Sequence, residues 1–277
     1  MHYHLSFHLY NEIEMNSNPV MSMTLYDFIF YQVFFILVIS VVFITIIRGK
    51  QYREAEHLHN LQRIIFYGFI GWIIAFLRII LIQIYQVLLL VQAGVDINNV
   101  DAISTAPITQ TYLFNIIGPL LSGIFEEGVR YFLLMRVIGE AKNRVDRKYI
   151  PVIFGMSWAY SEILILTLGF IGSDPISTTN LFISGYERLI AMMAHVSFTY
   201  LVYYAKYTNK KSLWISIILH TVFNLIALVM VMEVGSSTFN DTLLIEAVLT
   251  VFAFIIVGFT YLYLKPIEQH IQSSKDI

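Results

Sequence analysis

Glu126, Glu127 and Arg130 are charged residues in a stretch of sequence that is otherwise uncharged from residue 111 to residue 135. A stretch of that length spans the roughly 30 Å hydrocarbon core of a bilayer. Each charge placed there costs at least about 2.5–3.5 kcal/mol, so such side chains usually face protein or a water-filled cavity. The sequence therefore predicts that further polar groups compensate for these three residues.

The spacing of the three residues predicts how they interact. Glu126 and Arg130 are four residues apart and Glu127 and Arg130 are three apart, and both spacings put side chains on one face of a helix. Arg130 can therefore neutralise one of the carboxylates. Two close carboxylates in a dry site repel each other, which makes the carboxylate that stays free a candidate general base.

Polar residues also interrupt the next three apolar stretches. Glu162 is the only charged residue between residues 150 and 171. His195 follows in the next stretch, seven residues after Arg188 and on the same helix face. His220 and Asn224 form an i,i+4 pair in the stretch after that.

The depth of these residues in the membrane indicates that they meet. Counted from the inner end of each stretch at 1.5 Å per residue, five of them lie at about 15–18 Å and His220 lies at about 11–12 Å. The five are Glu126, Glu127, Glu162, His195 and Asn224. Four helices would therefore carry ionisable or amide groups to one level near the bilayer centre, which favours a functional site.

Each residue alone has a simpler interpretation. A single intramembrane histidine or asparagine often serves as a hydrogen-bonding contact between helices, and Glu162 could be a protonated acid. Arg188 could either orient His195 or pair with Glu187. Arg78 is expected to be structural, either paired with a carboxylate or extended towards the membrane surface. The combination at one depth favours the functional interpretation.

Activation of water is the chemistry that these residue types suit, because the chain has no cysteine and no evident serine nucleophile. Glu126 or Glu127 could take the proton of a water that attacks an amide. His220 and Asn224 could donate hydrogen bonds to the oxyanion, a role worth roughly 2.7–4 kcal/mol per donor.

A metal site is the alternative chemistry. His195, His220 and a carboxylate such as Glu162 would form a three-ligand zinc site with an open position. The HExxH signature is absent, so separate helices would have to supply the ligands. The sequence leaves the zinc and the metal-free alternatives open.

Composition sets the class of protein. The 277 residues are 57% hydrophobic and only 13% charged, whereas soluble domains carry about 25% charged residues. This predicts an integral membrane protein with an all-α helix bundle that contacts lipid. The net charge of −2 says nothing about nucleic acid, but the sequence has no basic patch and no nucleic-acid-binding motif, so no nucleic-acid partner is expected. The absence of cysteine excludes disulfides and thiolate metal sites.

Seven transmembrane helices are predicted from the apolar segments. They are roughly 25–47, 64–92, 111–138, 150–171, 184–205, 213–232 and 242–265. We expect one membrane domain over 1–277, with a polar N-terminal tail at 1–24, a catalytic-like core at 111–232 and a C-terminal tail at 266–277. The connection 93–110 is the longest on its side and could form a lid or a short surface helix.

The distribution of lysine and arginine predicts the orientation. All but three of the 17 basic residues lie in or beside the loops at one end of the helices or in the C-terminal tail, and the connections 93–110, 172–183 and 233–241 contain none. Because basic residues mark the cytoplasmic side, the N-terminus is predicted to lie outside and the C-terminus in the cytoplasm. The chain is expected to be a multi-pass protein of the cell membrane.

Four motifs together resemble the YhfC-type intramembrane metalloproteases, relatives of the CAAX prenyl-protease, bacteriocin-processing and PrsW group. The motifs are Ser122–Phe132, Gly155…Glu162, Arg188…His195 and His220-x-x-x-Asn224. The resemblance covers about residues 111–232. It implies an endopeptidase that cuts a membrane-embedded protein or a lipidated peptide.

The same resemblance implies roles for individual residues. Glu126 and Glu127 would activate water, and His195 would help to hold the water or a metal. His220 and Asn224 would complete the site. The Glu-Glu-x-x-Arg spacing is closer to the YhfC and PrsW forms than to the CAAX form. Trp158 replaces the histidine that the YhfC pattern has four positions before Glu162, which leaves Glu162 as the ligand candidate on that helix.

Two other functions fit the same residues. A non-catalytic membrane scaffold or receptor could use this bundle with its histidines retained. An ion or proton transporter could use buried carboxylates and histidines as a relay. Transporters commonly have broken helices at the binding site, and Gly118-Pro119 is the only such signal in a central segment of this sequence.

Overall fold

The structure is a computed structural model that describes residues 25–47, 55–140, 144–168, 178–235 and 238–273. These residues form helices joined by turns, and they contain no strand. The predicted all-helical fold is therefore confirmed for this part of the chain. The polar tail 1–24 and residues 274–277 lie outside the described residues.

The helices follow the predicted segments closely. They are α1 Leu25–Ile47, α2 Ala55–Phe76, α3 Arg78–Gln92, α4 Val100–Thr105, α5 Tyr112–Asn115, α6 Ile117–Glu140, α7 Arg144–Leu168, α8 Thr178–Tyr204, α9 Lys211–Val234 and α10 Phe239–Ser273, with a 3₁₀ turn at Pro107–Gln110. Within the described ranges, four stretches are long and apolar enough to cross a membrane. These are Leu61–Gln92, Tyr149–Leu168, Lys211–Val234 and Phe239–Gln269. The count of seven spans and the orientation of the termini remain predictions.

The second predicted segment contains a break at Leu77, which separates α2 from α3. The Leu77 amide donates to the carbonyl of Ile74, three residues back, so the α-helical pattern is interrupted for one turn. Neither glycine nor proline lies at the break. The break makes Arg78 the first residue of α3. Its guanidinium points into the bundle, towards Glu126.

The chain before α6 also differs from the simple prediction of one helix from residue 111. The 3₁₀ turn and α5 lead into α6, and the Thr111 hydroxyl caps α5 by accepting from the Phe114 amide at 3.3 Å. Pro119 is the third residue of α6, where its missing amide proton removes no helical hydrogen bond. As expected for 93–110, that connection contains a short helix, α4.

Helix α7 lies at the centre of the bundle, between α2 on one side and α8 on the other. Its Ile153, Phe154 and Trp158 side chains are buried in the main hydrophobic core. Gly155 allows α8 to approach closely, because a Cβ atom there would lie 2.8 Å from the Cα atom of Val196. Small residues at such crossings are typical of membrane helix packing.

Helix α10 continues through Pro266 to Ser273 and does not end at residue 265 as the sequence suggested. Ile267 and Ile271 pack against the main core, and the Tyr204 hydroxyl donates a hydrogen bond to Glu268. These contacts hold the last turns of α10 against the end of α8.

Candidate functional site

The ionisable residues identified in the sequence meet in one buried centre. Helices α6, α7, α8 and α9 supply them, and Arg78 reaches the same centre from the start of α3. Glu126, Glu127, Arg130, His195 and His220 are each at most 5% exposed. The matched depths predicted this convergence.

Glu126 receives three donors from three different helices. Its Oε1 atom lies 2.7 Å from Arg78 Nη2 and accepts from the Ser122 hydroxyl at 2.6 Å. Its Oε2 atom accepts from Trp158 Nε1 at 3.2 Å. The carboxylate is thus compensated and held rigidly, and it still lines the cavity described below.

Glu127 faces α9 and has a separate set of partners. It accepts from Arg130, from the Ser216 hydroxyl at 2.7 Å and from His220 Nδ1 at 2.6 Å. A carboxylate only accepts hydrogen bonds, so His220 Nδ1 carries a proton, and in a neutral ring Nε2 is then an acceptor. That Nε2 atom lies 3.9 Å from Glu126 Oε2.

His195 lies between a cation and an anion. Arg130 Nη2 is 3.0 Å from its Nδ1 atom, and Glu162 Oε2 is 2.7 Å from its Nε2 atom. A guanidinium only donates, so Nδ1 accepts and the Nε2 proton points at Glu162. Arg130 therefore contacts both the Glu127–His220 pair and the His195–Glu162 pair. Its guanidinium also stacks on the Trp158 ring at 4.4 Å.

Arg188 makes one of the two contacts that the sequence left open, the pair with Glu187, and a second contact with Glu162. Its Nη1 atom lies 3.3 Å from Glu162 Oε1. Its link to His195 is therefore indirect, through the shared Glu162 carboxylate.

Four contributors were not identified from sequence as part of the site. Ser122 and Ser216 each lie four residues before a site residue on the same helix face, which is the signal that could have identified them. Trp158 was noted only as a departure from the family pattern, although its indole N–H offers Glu126 a donor. Arg78 was expected to be structural, and the structure places it against Glu126.

A cavity of about 190 Å³ opens beside the polar centre. Its polar lining comes from Arg78, Ser122, Glu126, Glu162, His195, His220 and Asn224. The rest of the lining is mainly apolar. Glu127 is absent from the lining, so the two adjacent glutamates differ in access: Glu126 borders the cavity directly, whereas Glu127 lies behind His220.

Glu126, Glu162 and His195 form a buried group that could bind a metal ion, because one ligand atom from each lies within 4.8 Å of the others. Two oxygens and one imidazole nitrogen are donors that zinc accepts. This group contains Glu126 where the sequence-based set had His220, whose Nδ1 atom is bonded to Glu127. Binding through His195 Nε2 would require the loss of the proton now shared with Glu162.

Comparison with known families supports a membrane protease. Residues 173–249 match the model of a family described as YhfC intramembrane metalloprotease. The matched region contains His195, His220 and Asn224 but neither Glu126 nor Glu162. No curated protein and no solved structure matches the chain. Together with the apolar helices, the family match indicates a membrane protein.

Proposed function

We propose that this chain is an intramembrane endopeptidase, a multi-pass protein of the cell membrane that hydrolyses a peptide bond in a membrane-embedded or lipidated substrate. The observation that carries the proposal is the cavity itself. One wall offers the Glu126 carboxylate, and Glu162, His195, His220 and Asn224 line the same space. The similarity of residues 173–249 to a protease family supports the reaction class.

Glu126 and His220 are suited to hold the attacking water. Glu126 Oε2 and His220 Nε2 are both acceptors and lie 3.9 Å apart, a separation that lets one water donate to both at ordinary hydrogen-bond distances. As the water oxygen attacks the carbonyl carbon, Glu126 takes one proton. It returns that proton to the amide nitrogen as the C–N bond breaks.

Glu127 is proposed to act as a positioning residue. Its bond to Nδ1 fixes the His220 tautomer and directs Nε2 towards the cavity, as a carboxylate does for histidine in hydrolytic triads. This changes the role suggested from sequence, because a neutral His220 with its proton on Nδ1 cannot donate to an oxyanion. Asn224 remains the proposed oxyanion donor among the cavity residues.

A zinc ion is a proposed cofactor of the same cavity. Glu126, Glu162 and His195 would hold it, and it would make a bound water more acidic and polarise the substrate carbonyl. In either form Arg130 and Arg188 have the same task, which is to fix the His195 ring and the Glu162 carboxylate from the side away from the substrate.

The test compares purified wild type with Glu126→Gln and His195→Ala in liposomes that contain transmembrane peptides. We expect cleavage by wild type, a loss of at least about 100-fold in Glu126→Gln, the size typical of general acid–base catalysis, and a clear loss in His195→Ala, which removes a proposed zinc ligand. Asp101→Asn removes an exposed carboxylate from α4 and serves as the control that keeps full activity. If Glu126→Gln cleaves the peptides as fast as wild type, the proposed active site is refuted. Zinc analysis of the same samples tests the cofactor.

A non-catalytic scaffold or receptor is the second candidate, and Trp158 favours it. The indole donates to Glu126 at 3.2 Å, so it offers the proposed base a permanent partner. A scaffold would show no cleavage in the liposome test, while Glu126→Gln would weaken binding of a partner that co-purifies with the wild type. Cleavage by wild type rules this candidate out.

A further inference from the structure

From the polar centre, the lining of the cavity extends furthest towards one end of the helices. On α9 its lining continues from Asn224 to Val231, and on α6 it continues from Glu126 back to Gly118. These distances along the helix axes are about 10 Å and about 12 Å. Both lead to the ends of helices that are joined by the connections without lysine or arginine, 93–110 and 233–241.

Large aromatic side chains line the opposite end of the cavity. Trp72 and Phe198 line it there, and their side chains are 2% and 1% exposed. Arg130 and Trp158, stacked on each other, are fully buried in the same part of the bundle. We therefore expect a substrate to reach Glu126 from the end of the bundle that lacks basic residues.

Small residues line the part of the cavity that extends away from the polar centre, which we call the extension. Ala191 on α8, Ala227 on α9 and Gly118 on α6 line it, together with larger apolar residues such as Leu166 and Val231. Apart from the polar centre, the described residues that line this part of the cavity include no charged side chain. The chemistry of the extension thus suits an uncharged, apolar group of the substrate.

The volume limits how large that group can be. A cavity of about 150 Å³ holds benzene, so 190 Å³ holds roughly eight carbon atoms at the same density. A leucine, methionine or phenylalanine side chain fits. A prenyl chain of about fifteen carbons needs roughly twice that volume, and an α-helix with a diameter of about 10 Å does not fit at all.

We propose that the cavity is a side-chain specificity pocket for a locally unwound segment of a membrane protein, with one large apolar residue placed beside the scissile bond. The proposal rests on the endopeptidase function argued above and narrows its substrate class. It selects the embedded peptide over the lipidated one, because the pocket accepts a side chain and not a lipid tail.

The test uses transmembrane peptides of equal length that differ only in one central residue, which is glycine, alanine, leucine or phenylalanine, and a prenylated peptide of the same sequence. Cleavage sites and rates are read by mass spectrometry from liposomes. Wild type should cleave the leucine and phenylalanine peptides about 10- to 200-fold faster than the glycine peptide. Cleavage of the prenylated peptide should not exceed that of its unmodified form.

Ala227→Leu fills the pocket and should greatly reduce this preference. We expect a loss of about 10-fold or more on the phenylalanine peptide and less than about twofold on the alanine peptide. Ala191→Leu repeats the test from α8 in case one variant fails to fold. Val229→Phe adds bulk to an exposed position of α9, outside the cavity lining, and should behave as wild type.

The outcomes separate the two proposals. Cleavage that depends on Glu126 but shows no side-chain preference, or that Ala227→Leu lowers equally for all peptides, overturns the pocket and leaves the endopeptidase intact. Faster cleavage of the prenylated peptide also overturns it. If wild type cleaves no more than Glu126→Gln, the endopeptidase proposal fails and the pocket assignment fails with it.

Discussion

Gly123 is the position where the smallest substitution should disturb the site most. A Cβ atom there would lie 2.1 Å from the Thr221 hydroxyl oxygen and 2.8 Å from the Ile217 carbonyl oxygen of α9. The hydroxyl can rotate away, but the carbonyl belongs to the helix backbone. Gly123→Ala should therefore push α6 and α9 apart by about 0.5 Å, with a cost of about 1–3 kcal/mol.

Gly128 on the same helix provides the matched control, because a Cβ atom there meets nothing within 4 Å. Replacing glycine by alanine should stabilise the helix equally at both positions, by up to about 1 kcal/mol. The difference in unfolding free energy between the two variants therefore measures the clash at residue 123. At about 2–4 °C per kcal/mol, Gly123→Ala should unfold about 2–12 °C below Gly128→Ala in detergent. A combined Gly123→Ala and Thr221→Ala variant should recover part of this loss.

Activity should fall together with stability. The bonds from Ser216 and His220 to Glu127 cross the same α6–α9 interface at 2.7 and 2.6 Å. A separation of about 0.5 Å would bring them to the upper limit of hydrogen bonding, and displacements of about 1 Å can cost about 100-fold in rate. The reasoning fails if Gly123→Ala unfolds at or above the temperature of Gly128→Ala and turns over at the wild-type rate.

Three further predictions test other parts of the structure. Arg78→Gln removes the guanidinium from Glu126, so the affinity of the purified protein for zinc should increase. An unchanged or lower affinity would contradict the assigned metal ligands. Ser216→Ala removes a donor from a buried carboxylate and should lower the free energy of unfolding by about 1–3 kcal/mol, which denaturation in mixed micelles would measure. Tyr204→Phe removes the hydrogen bond to Glu268 and should speed amide hydrogen exchange in the last two turns of α10; exchange as slow as in wild type would show that apolar packing alone holds those turns.

The convergence of the site could be predicted from sequence because depth needs only the helical rise. Glu126, Glu162 and His195 lie at similar distances from the ends of their apolar segments, and the structure brings them within 4.8 Å. The hydrogen-bond partners could not be predicted in the same way. They depend on the rotation of each helix about its axis, and a helix that is apolar on most sides carries little rotational signal.

The adjacent glutamates illustrate this limit. Consecutive residues on a helix point about 100° apart, so one of the pair had to face away from the other's partners. Glu127 faces α9, and Glu126 faces α3 and α7. The sequence shows that two carboxylates are present at one depth but does not show which of them meets the cavity. The break at Leu77 has no sequence signal either, and it is this break that starts α3 at Arg78.

The hydrogen bonds around His195 show which contacts would have to change for the site to bind zinc. Arg130 donates to Nδ1, so the proton on Nε2 is directed at Glu162, and Arg78 holds Glu126. With these contacts the charged side chains of the site are paired, so the proposed metal-free mechanism needs no rearrangement of them. Zinc would replace the Nε2 proton of His195 and compete with Arg78 for Glu126, so its binding must release at least one proton and weaken one ion pair. The two proposed chemistries therefore differ in the protons of the site and in the contact of Arg78 with Glu126.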